Sequence, residues 1–286
     1  MDLKQLTLIA LQIAVLGTVF GFGMRTTMAD LLYVVRRPGL LVRSLLSVLV
    51  VMPVLVFFLV EYFDLRIEVE ATLICLAISP VPPLLPKKQG KAGGPQSYGL
   101  GLMVVLSLAA IPAIPLSLRL LEIVFARPFV ISTGAVAHVV LVMALLPLAM
   151  GLLVSSWFPR FAARLRAPLA MAANGLLLLA ALVLLLGSLS AIWSATGQRA
   201  MIAMVSFVVL GLMIGHLMGG RDAGNRAVLA LSTACRHPAI ALAIASINFP
   251  DTKIASVILL YLMTSVVVCI PYVAWQRRRL VPASRD

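Results

Sequence analysis

Ser232-Thr233-Ala234-Cys235-Arg236-His237-Pro238-Ala239 sets a guanidinium and a proline inside the otherwise apolar stretch 227–249. Arg236 lies about ten residues into that stretch, roughly 15 Å from its start at 1.5 Å per residue, which is the mid-plane of a bilayer. A charge at that depth costs about 2.5–3.5 kcal/mol on insertion scales. Pro238 has no N–H to lose and suits the first turn of a new half-helix, whose unpaired N–H groups and dipole add positive character beside the guanidinium. The combination favours an anion. A structural alternative stands beside it: Arg236 caps carbonyls freed in a neighbouring broken helix, with no ligand involved. The sequence leaves both open.

The neighbour with freed carbonyls is legible too. Ser79-Pro80-Val81-Pro82-Pro83-Leu84-Leu85-Pro86 ends another apolar run. One proline inside a helix removes a hydrogen bond and clashes with the preceding turn, at about 3 kcal/mol. Four within seven residues end a regular helix. In lipid, the backbone groups so freed must be buried in protein or line a wet cavity.

Around these two interruptions the chain is almost wholly apolar. It has 286 residues, 62% hydrophobic and only 12% charged, with a mean hydropathy of +1.09. That composition excludes a separate water-soluble catalytic domain, a nucleic-acid-binding domain and a disulfide scaffold. Nine apolar runs are long enough to read as transmembrane helices: 5–24, 40–60, 69–85, 96–125, 128–157, 169–193, 200–220, 227–249 and 254–275. The first carries one Lys against one Asp ahead of it and no small-x-small cleavage site, so it reads as a retained helix. Cys75, Cys235 and Cys269 lie in apolar stretches without a CxxC spacing and read as inert buried thiols.

The formal charge of +13 follows from topology. With the N-terminus outside and the C-terminus cytoplasmic, 16 basic residues fall on the inner side, among them Lys87, Lys88, Lys91 and Arg277-Arg278-Arg279, against three acidic ones. The outer segments hold six basic and seven acidic residues. The basic excess faces anionic lipid, and no nucleic acid is needed to explain it.

An internal repeat adds a second layer. Val50-Val51-Met52-Pro53 lines up with Val208-Val209-Leu210-Gly211 at an offset of 158, and the same offset carries Pro80 onto Pro238. The second and seventh spans run in opposite directions, so the repeat is inverted, as in secondary transporters. The expected organisation is all-α, a polytopic membrane protein of nine transmembrane helices in an inverted-topology repeat (4 + 1 + 4). Residues 1–125 form the first repeat, 128–157 an unpaired helix, 168–276 the second repeat and 277–286 a basic cytoplasmic tail.

Phe20-Gly21-Phe22-Gly23-Met24, Arg37-Pro38, Met52-Pro53, Ser79-Pro80 and Arg236-His237-Pro238-Ala239-Ile240-Ala241-Leu242-Ala243 together resemble the bile acid:sodium symporter family. The likeness runs from about Leu6 to Trp275. It implies a panel domain and a core domain, with the third and eighth spans as two broken helices crossing in the core, and a chain lacking the family's first helix. It implies as substrates bile acids, other steroid conjugates or small carboxylates such as pyruvate and pantoate.

The departures from the family pattern fall on its sodium ligands. Where the family has Cys-Pro-Gly-Gly-x-x-Ser-Asn, an ungapped match on Pro80 gives Val81-Pro82 and Leu85-Pro86; a shifted register finds Gly93-Gly94-Pro95-Gln96-Ser97, with Tyr98 in place of the Asn. The family's Glu-x-x-x-Gln-Asn becomes Ser232, Arg236 and His237, and its sodium-binding Gln becomes Val48. No Asp or Glu falls at membrane depth. The resemblance therefore implies a sodium-independent member in which Arg236 stands in for the cation.

The expected function is secondary transport of a small organic anion by alternating access, in an integral protein of the bacterial inner membrane. Arg236 and the half-helix start at Pro238 attract the anion. The carbonyls around Ser79 and Pro80, with Ser232 and Thr233, orient it, and His237 offers a route for proton coupling. No cofactor and no metal site is expected. Two alternatives remain: a sodium-coupled symporter with backbone-only ion ligands, and a non-transporting structural or sensing subunit. An intramembrane enzyme is disfavoured, because no HExxH, Asp pair or Ser/His/Asp set occurs at membrane depth.

Overall fold

Prolines, rather than loops, decide where this chain changes direction inside the membrane. A computed structural model describes residues 3–125, 133–195, 197–249 and 254–280, and every regular element among them is helical. In chain order these are α1 (Leu3–Gly23), α2 (Met28–Leu31), α3 (Pro38–Leu45), α4 (Met52–Phe63), α5 (Ile67–Ile78), α6 (Leu85–Lys91) and α7 (Gln96–Phe125). They continue as α8 (Thr133–Val140), α9 (Leu146–Trp157), α10 (Pro159–Ala195), α11 (Gln198–Met218), α12 (Ala223–Ala234), α13 (Pro238–Asn248) and α14 (Ile254–Leu280). Among the described residues seven spans are long and apolar enough to cross a bilayer, and the protein is a polytopic integral membrane protein. Pro128, where the unpaired helix was expected to begin, and residues 281–286 of the basic tail lie outside the described residues.

Two expected boundaries move for a common reason. α10 starts at Pro159 rather than 169, and α14 continues past 275 to Leu280. Hydropathy marks membrane depth, whereas a helix needs only backbone pairing. α10 therefore extends through Arg160, Arg164 and Arg166, and α14 through Arg277-Arg278-Arg279. Those last cations also suit the negative end of the helix dipole.

Two π-helical turns, Leu46–Val51 and Leu141–Leu145, join α3 to α4 and α8 to α9. Each precedes a proline at the second residue of the next helix, Pro53 or Pro147. The Met52 N–H, which would reach Val48 in an α-helix, donates to the Ser47 carbonyl instead. Pro53 has no N–H to offer. The Val48 carbonyl is thus left without a donor from its own helix.

The two interrupted spans meet at their breaks. α5 stops at Ile78, Ser79 is extended, and the helix resumes at Leu85 rather than ending there as expected. α12 stops at Ala234, Cys235 and His237 are extended, and α13 begins at Pro238. The His237 N–H donates to the Pro80 carbonyl at 2.7 Å, so each break supplies what the other lacks. α5 packs against α13, and α6 against α12. The span containing α12 and α13 is the most enclosed, with 78% of its apolar window buried. Around it stand α3–α7, α11 and α14, while α1, α9 and α10 pack mainly on one another as a separate layer.

Small residues let α11 approach α12. A Cβ added at Gly211 would lie 2.7 Å from the Ala234 Cα, and one at Gly219 2.5 Å from the Arg226 Cα. The opposing atoms are backbone, which cannot step aside. We expect Gly211→Leu to cost about 1–3 kcal/mol through overpacking, read as a lower Tm in detergent. Gly175→Ala on α10, where a Cβ meets nothing within 4 Å, should leave the Tm unchanged or slightly raised.

Candidate functional site

Arg236 is 1% exposed and does not snorkel to water. Its Nη2 donates to the Val48 carbonyl at 2.9 Å and its Nη1 to the Ser79 carbonyl at 3.2 Å. Val48 is the carbonyl orphaned by the π turn, and Ser79 lies where α5 breaks off. The planar fork of an arginine reaches both at once with two separate nitrogens held in a fixed geometry. Its backbone N–H donates to the Tyr261 hydroxyl at 2.6 Å, and that hydroxyl donates in turn to the Ala234 carbonyl at 3.2 Å. No carboxylate pairs with it among the described residues. Carbonyl dipoles alone face the charge, and Nε has no partner among the described atoms.

The other expected site residues divide into two groups. Ser79, Pro80, His237 and Pro238 gather at the joint. The Ser79 hydroxyl donates to the Leu76 carbonyl at 2.8 Å, capping the end of α5. His237 is the N-cap of α13, with Nδ1 accepting a long 3.5 Å bond from the Ile240 N–H. An Nδ1 that accepts carries no proton, so the neutral ring is the form that caps. Pro238 occupies the first turn, as expected.

Ser232 and Thr233 sit a turn earlier and are engaged with other helices. Ser232 Oγ accepts from Gln89 Nε2 at 2.8 Å. Thr233 donates to the Leu229 carbonyl at 2.9 Å and accepts from the Ser47 hydroxyl at 2.7 Å. Both brace α12 against α6 and the π turn.

Sequence reasoning missed Gln89, Ser47, Tyr261 and Lys88. Gln89 is 2% exposed and carries an unpaired Oε1 among the described atoms. Lys88 was expected in a cytoplasmic segment, but α6 continues past the break and carries it inward. Its ammonium donates to the Ser265 carbonyl at 3.3 Å and approaches Cys235 Sγ at 3.6 Å. Proline count hid this, because α6 is only seven residues long and starts with Pro86 in its first turn. Next to it, Lys87 donates to Asn174 Oδ1 on α10.

Lys88 also lines a cavity of about 750 Å³, together with Lys91, Arg277, Val266, Ile270 and Val273. Three cations and an apolar wall face this space, and no acid lines it. Lys88 is the lining residue that also touches the joint, through Cys235.

The model of the Sodium Bile acid symporter family matches residues 12–195, from α1 through α10. Arg236 lies beyond the matched stretch. No curated protein matches the chain.

Removing the Arg236 fork strands two buried carbonyls, each costing about 1–3 kcal/mol. Arg236→Met should therefore lower the Tm in detergent by many degrees, and Arg236→Lys by an intermediate amount, because it keeps the charge but loses the fixed two-nitrogen fork. Equal melting of Arg236→Met and the parent would mean that the guanidinium is not what holds the joint.

Proposed function

The chain belongs to the sodium bile acid symporter family, whose members are transporters, and from that premise we propose that it carries a small organic anion without a bound sodium ion. The observation that carries this reading is the guanidinium of Arg236 on the carbonyls of Ser79 and Val48. A sodium ion at the joint would need those oxygens. It would also stand within a few ångströms of a permanent positive charge, at about 4 kcal/mol of repulsion for a 4 Å separation and an effective dielectric near 20. A fixed cation cannot dissociate into the cytoplasm, so no sodium gradient is spent on the cycle.

The anion's side of the reading rests on the cavity beside α6. Lys88, Lys91 and Arg277 give it positive potential, and Val266, Ile270 and Val273 suit an apolar body. The unpartnered Arg236 Nε and the start of α13 add positive character at the joint. His237 acts here as a hinge cap. Protonating its ring at Nδ1 would remove the cap, so coupling to protons through this residue is not part of the proposal.

Alternating access is the corresponding motion: the layer of α1, α9 and α10 moves against the remaining helices, nine spans in all, with the broken helices α5–α6 and α12–α13 crossing at the centre. The inverted repeat supports it. Gln96 and Ile254 open α7 and α14 at an offset of 158, and the two breaks fall in the preceding span of each half. Residues 1–125 and 168–276 are the two halves in this reading, 128–157 lies between them, and 277–286 is a cytoplasmic tail in an inner-membrane protein with its N-terminus outside.

The test is uptake of labelled taurocholate and pyruvate by proteoliposomes in sodium or potassium buffer. Equal rates in the two buffers are expected, with a loss of about tenfold or more in Lys88→Gln/Lys91→Gln, whose substitutions weaken attraction of the anion. Uptake that sodium stimulates severalfold would overturn the sodium-independent reading, and no uptake of any organic anion would overturn transport.

A further inference from the structure

We propose that Cys235 and Cys269 form an oxidisable dithiol, a site at which peroxide converts two buried thiols to a disulfide that ties the joint of the second broken helix to α14. The sequence spacing gave no hint of a pair, since the two cysteines are 34 residues apart. The fold sets their sulfurs 3.9 Å apart, with Cys235 at the C-cap of α12 and Cys269 on α14. That is van der Waals contact. Closing to a bond of about 2.05 Å asks for side-chain rotation and a small approach of the two elements.

Three groups converge on Cys235 Sγ: the Lys88 ammonium at 3.6 Å, the Ser265 hydroxyl at 3.6 Å and the Cys269 thiol. Thiol chemistry runs through the anionic sulfur, and Lys88 supplies the counter-charge to that form. No carboxylate competes for this ammonium among the described residues. Cys235 keeps 5% of its surface exposed, and the lysine beside it lines the 750 Å³ cavity. Cys75, buried on α5, has no such neighbours among the described residues and serves as an internal control.

The reaction balances with hydrogen peroxide as the oxidant. Cys235 sulfur attacks one peroxide oxygen, an S–O bond forms as O–O breaks, and the departing hydroxide takes the Cys235 proton as water. The Cys269 sulfur then attacks the sulfenic sulfur. S–S forms, S–O breaks, and the second hydroxide leaves as water with the Cys269 proton. The two sulfurs lose two electrons and the peroxide gains them. Cys235 directly precedes Arg236, so the bond fixes the backbone that presents the guanidinium. None of this depends on what the protein carries.

The test uses the full chain in detergent micelles. Hydrogen peroxide should remove two hydrogens from the intact mass, and peptide mapping after alkylation under denaturing conditions should find Cys235 joined to Cys269 with Cys75 alkylated. Cys269→Ser should stop at a sulfenic acid on Cys235 that dimedone traps. Lys88→Met should slow the reaction about tenfold or more, and Lys88→Arg, which keeps the charge, should restore most of the rate. Each variant is checked for an unchanged elution volume in size-exclusion chromatography. Three thiols left free after peroxide, or a disulfide that includes Cys75, would overturn the proposal. A rate in Lys88→Met equal to that of the parent would overturn the role given to the ammonium.

Discussion

Backbone carbonyls that lose their donors inside a membrane have no water to turn to, and the centre of this protein is organised around that constraint. Pro53 and the π turn before it orphan the Val48 carbonyl, and the prolines after Ser79 end α5. The joint of α12 and α13 answers both deficits from one short segment. Arg236 covers Val48 and Ser79, and the His237 N–H covers Pro80. The cost of burying the guanidinium is offset by the carbonyls it satisfies, each a charge-assisted bond of about 1.5–3 kcal/mol.

This pairing joins the two readings that the sequence held apart. Two terminal nitrogens of Arg236 act as a structural staple, while its Nε retains a free donor and its charge remains. Arg236 holds the carbonyls of the π turn and of the end of α5 to the joint of α12 and α13. In the proposed sodium-free cycle this is the structural part of an ion's task, without the energetic part, because a side chain never leaves.

Much of the architecture was legible because hydropathy and proline act locally. The two breaks followed from Pro80, Pro82, Pro83 and Pro238, and Pro238 at a helix start followed from its missing N–H. What stayed hidden depends on contacts between distant segments. Ser232 and Thr233 looked like free hydroxyls, but their partners, Gln89 and Ser47, come from other helices. Lys88 looked like a cytoplasmic flank, because its position depends on a seven-residue helix resuming after three prolines and carrying a fourth in its first turn. His237 drew notice only as a titratable ring, though the residue before a proline favours an extended backbone, and that rule puts it at the cap. The meeting of Cys235 with Cys269 has no local signal at all.

Among the described residues, Lys87 on α6 and Asn174 on α10 tie the two layers of helices together by a side-chain bond. Asn174 is exposed and Lys87 half-buried, so both ends already meet the surroundings. In the proposed sliding of one layer past the other, the amine and the amide can exchange each other for outside polar partners without a new crevice having to open, and this tie resists the motion only weakly.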